Sequence, residues 1–417
     1  MKDKFLGDRI LVCLLLMLLM MHSIDCTAKT IRIKSNRSLQ SQLKHKNSTY
    51  IFSKKIDLKG KEVSVPSGCV LKFNNGMLRN GTISGDETQI KAGRGLIFEN
   101  VEIQGTWDND TVYSEWLGFS QQEGFDNREI FGRLTTLCTG DRNTQVYMQK
   151  GIFLTSIQNE GFGFSIPSNT TFHSTATIKE IPNDFKVGVL ISIFKSENVV
   201  IDGGKYIGDI DTHTGDEGEW SHGIKCEGSK NVVIKNVECN DFWGDGIDII
   251  DAYDDERKPS IVCYNVSVDS VRCFYNRRQG ISIEAVIGCR VTNSEFSYTG
   301  TKKYTRPADG IDIEAWNSYG EKLRDIKIKN CVMMGNKGKS ISIFANGPWL
   351  KNYELYINNI LIEGCNMDDV FATCSYGIEY RNCKMNSVMH QYVTDLKYTD
   401  CIIKGEKLSQ KITNRWE

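Results

Sequence analysis

Proline is scarce in this chain, 6 residues among 417 against 37 glycines, which excludes a Pro-rich disordered polypeptide or a collagen-like repeat. Net charge is nearly absent as well: 51 Lys and Arg face 52 Asp and Glu. A dedicated nucleic-acid binder would carry a strong basic excess, so no nucleic-acid partner is expected. Beyond the N-terminus there is no apolar run of about 20 residues, so no membrane span is expected in the mature protein. No Cys or His cluster has zinc spacing, and no Gly-rich phosphate loop, serine elbow or HExxH motif appears. Long amphipathic segments between strand-like runs are also missing, which excludes a doubly wound sheet or a (β/α) barrel. What remains is 40% hydrophobic and 25% charged. Abundant Gly with little Pro suits many short strands joined by tight turns.

The one apolar run, Ile10 to Met21, follows Lys2, Lys4 and Arg9. A basic start and a short apolar core read as a secretory signal over residues 1–28, with a secreted, periplasmic or cell-surface location. Cleavage after Ala28 and a lipid anchor at Cys26 are the two exits considered.

From about residue 196 the chain repeats itself. A Gly-opened strand recurs as HGIKCE at 222–227, DGIDII at 245–250, QGISIE at 279–284 and DGIDIE at 309–314. A β-branched run alternates with it, as VVIKN at 232–236 and IKIKN at 326–330. Period-2 alternation makes these strands, and a unit of this length cannot bury its own core, so it must stack on its neighbours. The expected fold is all-β: a right-handed parallel β-helix over 161–405, with Ile residues inward. Cys239, Cys273, Cys331, Cys365, Cys383 and Cys401 recur at equivalent points. That spacing suits a column of small, buried, reduced side chains rather than disulfides.

The leading third differs. Looser strands over 29–115 suggest a small β-rich solenoid region. Residues 116–160 hold the best helix signal, with Asp126 as N-cap and Glu129 completing a capping box before Ile130, Phe131, Leu134 and Leu137. One helix there would cover an open end of the β-helix. Residues 406–417 are left as a C-terminal tail. The run EWLG at 115–118, Asp126-Asn127, the short helix, NVVIDGG at 198–204 and WGDGID at 243–248 together resemble the pectate lyase-like superfamily, in the branch shared by polygalacturonases and phage tailspikes. The resemblance covers roughly 115–405. It implies the fold and a carbohydrate partner. It does not imply one reaction, because the superfamily includes hydrolases, lyases, epimerases and plain binders.

Alternation places Lys225, Asp248, Ser282 and Asp312 in one outward column, and Glu227, Glu284 and Glu314 in a second. His222, Asp245, Gln279 and Asp309 stand where these strands begin. Carboxylates one or two rungs apart fall near the spacings of glycosidase acid–base pairs. The expected catalytic set is therefore Asp245, Asp248, Asp309, Asp312, Glu284 and Glu314. His213, His222, Lys225, Arg278, Trp220, Trp243 and Trp316 are expected to bind substrate. Against the polygalacturonase pattern only Asp245 matches, and His222, Gly244 and Gln279 depart from it, which argues against that activity. The Asp-Pro-His signature of mannuronan epimerases is absent.

Residues 209–256 hold 14 acidic and 3 basic side chains. Such a field repels a polyanion, so a neutral polysaccharide is the simpler partner. Asp251, Asp254, Asp255 and Glu256 offer oxygen ligands for Ca2+, but their spacing fits a solvated acidic loop better. The expected activity is glycoside hydrolysis. A lyase or epimerase, with Lys225, Arg277 or Arg278 supplying a base, and a non-catalytic glycan-binding protein are the alternatives.

Overall fold

The computed structural model describes residues 28–253, 260–315, 323–345 and 357–412. The expected signal segment with Cys26, the candidate calcium ligands Asp254, Asp255 and Glu256, and Trp316 lie outside these residues. The chain divides into two compact units between Asp108 and Asn109. This is earlier than the boundary expected after residue 115, because Thr111–Tyr113 pairs with Thr144–Met148 of the second unit. The first unit is itself a set of parallel coils. Thr49–Phe52 pairs with Val70–Phe73, and Phe52 stacks on Phe73 with ring centroids 4.8 Å apart.

In the second unit most strands pair in parallel with the strand three positions later, so one coil of the chain is three strands. That is a parallel β-helix. The face that concerns function is built by β1 (Phe162–Ser165), β2 (Val187–Phe194), β3 (Trp220–Glu227), β4 (Ile247–Ile250), β5 (Ile281–Ile283), β6 (Ile311–Ala315) and β7 (Ile341–Ala345). Ile247, Ile281, Ile311 and Ile341 are in register, as are Ile249, Ile283 and Ile313, and all are fully buried. Each such side chain contributes roughly 1.5–3 kcal/mol.

Turns are held by a second ladder. Asn169, Asn198, Asn231 and Asn265 all adopt left-handed backbone, φ 52–59°. Their amides bond in series, each Nδ2 donating to the Oδ1 one coil earlier at 2.9–3.1 Å. Asn tolerates that conformation because its short polar side chain bonds locally. The twelve cysteines within the described residues are free and buried.

The helix is α1 (Arg128–Thr136). Its N-cap is Asn127, not Asp126. Asn127 makes no capping side-chain bond; Asp126 Oδ1 instead accepts from Arg128 N and Ser156 N, tying the helix start to the following strand region. Phe131 stacks on Phe164 of β1 at 4.3 Å, so the helix covers the first coils with its apolar face. At the other end the expected tail contains a strand, Glu406–Ile412, which pairs antiparallel with Lys384–Ile403.

Candidate functional site

Register puts Ser192, Lys225, Asp248, Ser282, Asp312 and Ser342 in one column across β2 to β7. Alternation predicts this column on the outward, open surface; the structure covers it. Asp248, Ser282 and Asp312 are buried, as are Asp245, Asp309 and Glu314. Two side chains close on it: His222 of β3, with Nε2 3.8 Å from Asp248 Oδ2, and Arg278, just before β5, with Nη1 3.0 Å from Asp245 Oδ2. The second column is interrupted: the register partner of Glu227 is Ile250, and that of Glu314 is Phe344. Glu284 lies just past the end of β5.

The residues that start these strands form a ladder of their own. Asp245 N donates to His222 Nδ1 at 3.0 Å, and Gln279 N to Asp245 Oδ1 at 3.1 Å. Asp309 N donates to Gln279 Oε1 at 2.7 Å, and Lys339 N to Asp309 Oδ1. Each polar side chain thus satisfies a backbone N–H one coil later, which is a structural reason for His222, Asp245, Gln279 and Asp309. Because Nδ1 of His222 accepts, its ring proton stands on Nε2, toward Asp248 Oδ2 at 3.8 Å. Burial, then Lys225 and Arg278, push the His222 pKa well down, so the ring stays neutral.

Asp245 also accepts from Arg278 Nη1 at 3.0 Å and Ser282 Oγ at 2.7 Å. Burial raises its pKa while Arg278 opposes the rise. Gln279 Nε2 donates to Asp312 Oδ2 at 2.6 Å. Asp248 Oδ1 and Asp312 Oδ1 have no hydrogen-bond partner among the described residues. For Asp248, burial pushes the pKa up to about 7, Lys225 opposing and Asp245 adding. For Asp312, burial with Asp309 and Glu314 pushes it well above the carboxylate range. Glu284 is raised by burial and Asp248. Burial alone would lower the Lys225 pKa, but Asp248 and Glu227 outweigh it, so the ammonium is held charged. The site therefore gathers more carboxyl groups than cations, and burial raises the pKa of Asp245, Asp248, Glu284, Asp309 and Asp312.

Of the residues expected to bind substrate, Trp220 is open, 52% exposed. Trp243 is not: it is buried between His213, stacked at 4.0 Å, and Arg277, whose guanidinium lies 4.0 Å from the ring. The His213 side chain is fully buried on Asp209, with Nδ1 2.9 Å from Oδ2. Neither can face a ligand. Arg278 reaches Asp245 from beneath, and Lys225 remains partly exposed. Alternation missed Gln279 and Ser282 as partners of the carboxylates. Both are small signals, polar residues at repeat positions otherwise taken by Asp. It also missed the buried Glu180 beside Asp209, with Asn183 Nδ2 donating to both. Among the described residues no group of three or more His, Cys, Asp or Glu could hold a metal ion. Asp251 is buried and accepts from the Tyr253 hydroxyl.

No family model matches the chain. Two curated proteins of Bacillus subtilis (strain 168) align with about half of it. The uncharacterized protein YclG is 31% identical over 227 residues, 52% of this chain. The SPbeta prophage-derived uncharacterized protein YorA is 29% identical over 224 residues, 50% of this chain. The chain spans only 36% and 38% of their lengths. Among solved structures, the A-module of the Azotobacter vinelandii mannuronan C-5 epimerase AlgE6 superposes with a TM-score of 0.51 at 14% identity, over 70% of this chain and 77% of that one. The chain thus shares the parallel β-helix fold of that module.

Proposed function

We propose that this chain is an exported carbohydrate-active enzyme that hydrolyses glycosidic bonds with Asp248 and Asp312. One observation carries the reading. Two buried carboxyl groups share a column two coils apart, each keeps one oxygen without a hydrogen-bond partner among the described residues, and their neighbours differ: Lys225 opposes the rise in pKa at Asp248, whereas Asp309 and Glu314 add to it at Asp312. Pairs separated in this way divide into acid and base. Asp312, far from Lys225 and crowded by Asp309 and Glu314, is the proton donor. Asp248, beside Lys225, is ionised first and serves as the base. Asp245, bonded by Arg278, Ser282 and Gln279 N, positions Arg278 between them. Asp309 and Glu314 act by raising Asp312, and Glu284 is the alternative donor beside Asp248.

An elimination reaction would need a free base near the sugar C–H. Lys225 is kept charged, so it is poorly suited to that role. The burial of the column supports a second reading, a glycan-binding β-helix without turnover. Asp248→Asn and Asp312→Asn separate the two. Each should lower kcat on a cleaved neutral polysaccharide by 10²-fold or more, with melting and glycan binding kept. Unchanged rates would remove both residues from the mechanism. Binding without any turnover by the wild type would favour the second reading.

A further inference from the structure

Upstream of the acid column the same face opens into a trough of about 640 Å³. Its floor continues the column: Ser165 of β1, Ser192 of β2 and Lys225 of β3 are successive register partners. Phe162 and Phe194, near opposite ends of β1 and β2, line it and are 40% and 47% exposed. Large apolar rings on an exterior strand face cost solvation unless something covers them. Lys195 shields part of one ring, its Nζ 4.8 Å from the Phe194 centroid. The ionic groups along the trough balance, Lys195 and Lys225 against Glu160 and Glu227, and Lys225 is already paired with Glu227 at 3.2 Å. Aromatic walls with a hydroxyl floor and no net charge match the apolar faces and hydroxyl rims of uncharged sugar rings.

We infer that this trough binds the uncharged part of a polysaccharide chain lying along the helix axis, the stretch adjoining the bond presented to Asp248. The inference rests on the hydrolase reading for its direction, because Lys225 lines the trough and is the register partner of Asp248. Phe162 and Phe194 are thus specificity-determining residues for sugar stacking, and Ser165 and Ser192 supply hydroxyl contacts.

The test is affinity electrophoresis of the full chain in gels carrying galactomannan, xyloglucan, arabinogalactan or, as the anionic comparison, polygalacturonate. At least one neutral polymer should retard the wild type, and more strongly than polygalacturonate. Phe162→Ala and Phe194→Ala should each weaken that retardation by roughly three- to tenfold, and the double variant should abolish it. Both rings are exposed, so the variants should keep the wild-type melting curve, checked by circular dichroism. The Asp248→Asn/Asp312→Asn variant should be retarded as the wild type is. Retardation in the double carboxylate variant with no turnover by the wild type would sink the hydrolase reading and leave the trough standing. No retardation by any neutral polymer, preference for polygalacturonate, or full retardation of the Phe162→Ala/Phe194→Ala variant would overturn the inference.

Discussion

Asp248 shows how a single residue in this fold couples charge to stability. Lys225, Arg278, Asp245, Glu227, Glu284 and His222 surround it. An aspartate in the unfolded chain titrates near 3.9, whereas burial holds Asp248 near 7. Between those values the folded state binds the extra proton, so stability falls as pH rises. The contribution is complete below about pH 4, declines from about 4 to about 7, and is flat above. Its size is on the order of 4 kcal/mol. Asp248→Asn should flatten this part of a plot of melting temperature against pH; an unaltered slope would show that other groups carry it. The proposed role of Asp248 as base predicts the opposite trend for rate, which should rise as pH passes through about 7. Arg278 answers to a different rule. Removing one member of a buried pair leaves an uncompensated charge, so Arg278→Ala should cost about 3–5 kcal/mol by denaturant unfolding. Arg278→Ala/Asp245→Asn should recover part of that loss.

At the level of the strand, the repeated Gly is a packing requirement. A Cβ on Gly280 would stand 2.5 Å from Gly310 O, and one on Gly223 2.6 Å from Gly246 O. The coils approach there too closely for any side chain. Gly280→Ala should therefore destabilise by about 1–3 kcal/mol. Gly93→Ala, with nothing within 4 Å of the new Cβ, should leave thermal melting unchanged. The same strands show why alternation named the column but not its environment. Ile and Asp alternate as faces in and out, and the register follows. Whether the outward face meets water depends on His222, on the strand one coil earlier than Asp248, and on Arg278, at the entrance of the strand one coil later.

The stacking of the coils fixes the distance between Asp248 and Asp312, the proposed base and acid. Stacked coils repeat at about 4.8 Å, so Asp248 and Asp312 stand roughly 10 Å apart at Cα. That separation suits the wider carboxyl spacing of an inverting glycosidase rather than the roughly 5 Å of a retaining one. Proton NMR of early products should show inverted anomeric configuration; retention would move the nucleophile to a neighbouring coil, with Glu284 the first candidate.

The sequence by itself determined the architecture. Its Gly-opened, Ile-alternating repeats can bury apolar surface only by stacking, and the Asn positions suit the left-handed turns between them. It also set the order of Lys225, Asp248, Ser282 and Asp312 along the axis, because register follows the repeat. The tertiary structure decided what the repeat is silent about. Trp243 turns inward because Arg277, one coil later, receives its ring. Gln279 bridges aspartates of neighbouring coils, and Lys225 opposes the burial-driven rise in pKa at Asp248 while Asp309 and Glu314 add to it at Asp312. Those outcomes depend on burial and on distances between residues 20 to 60 positions apart, and pairings of that kind are created only when the coils close on one another.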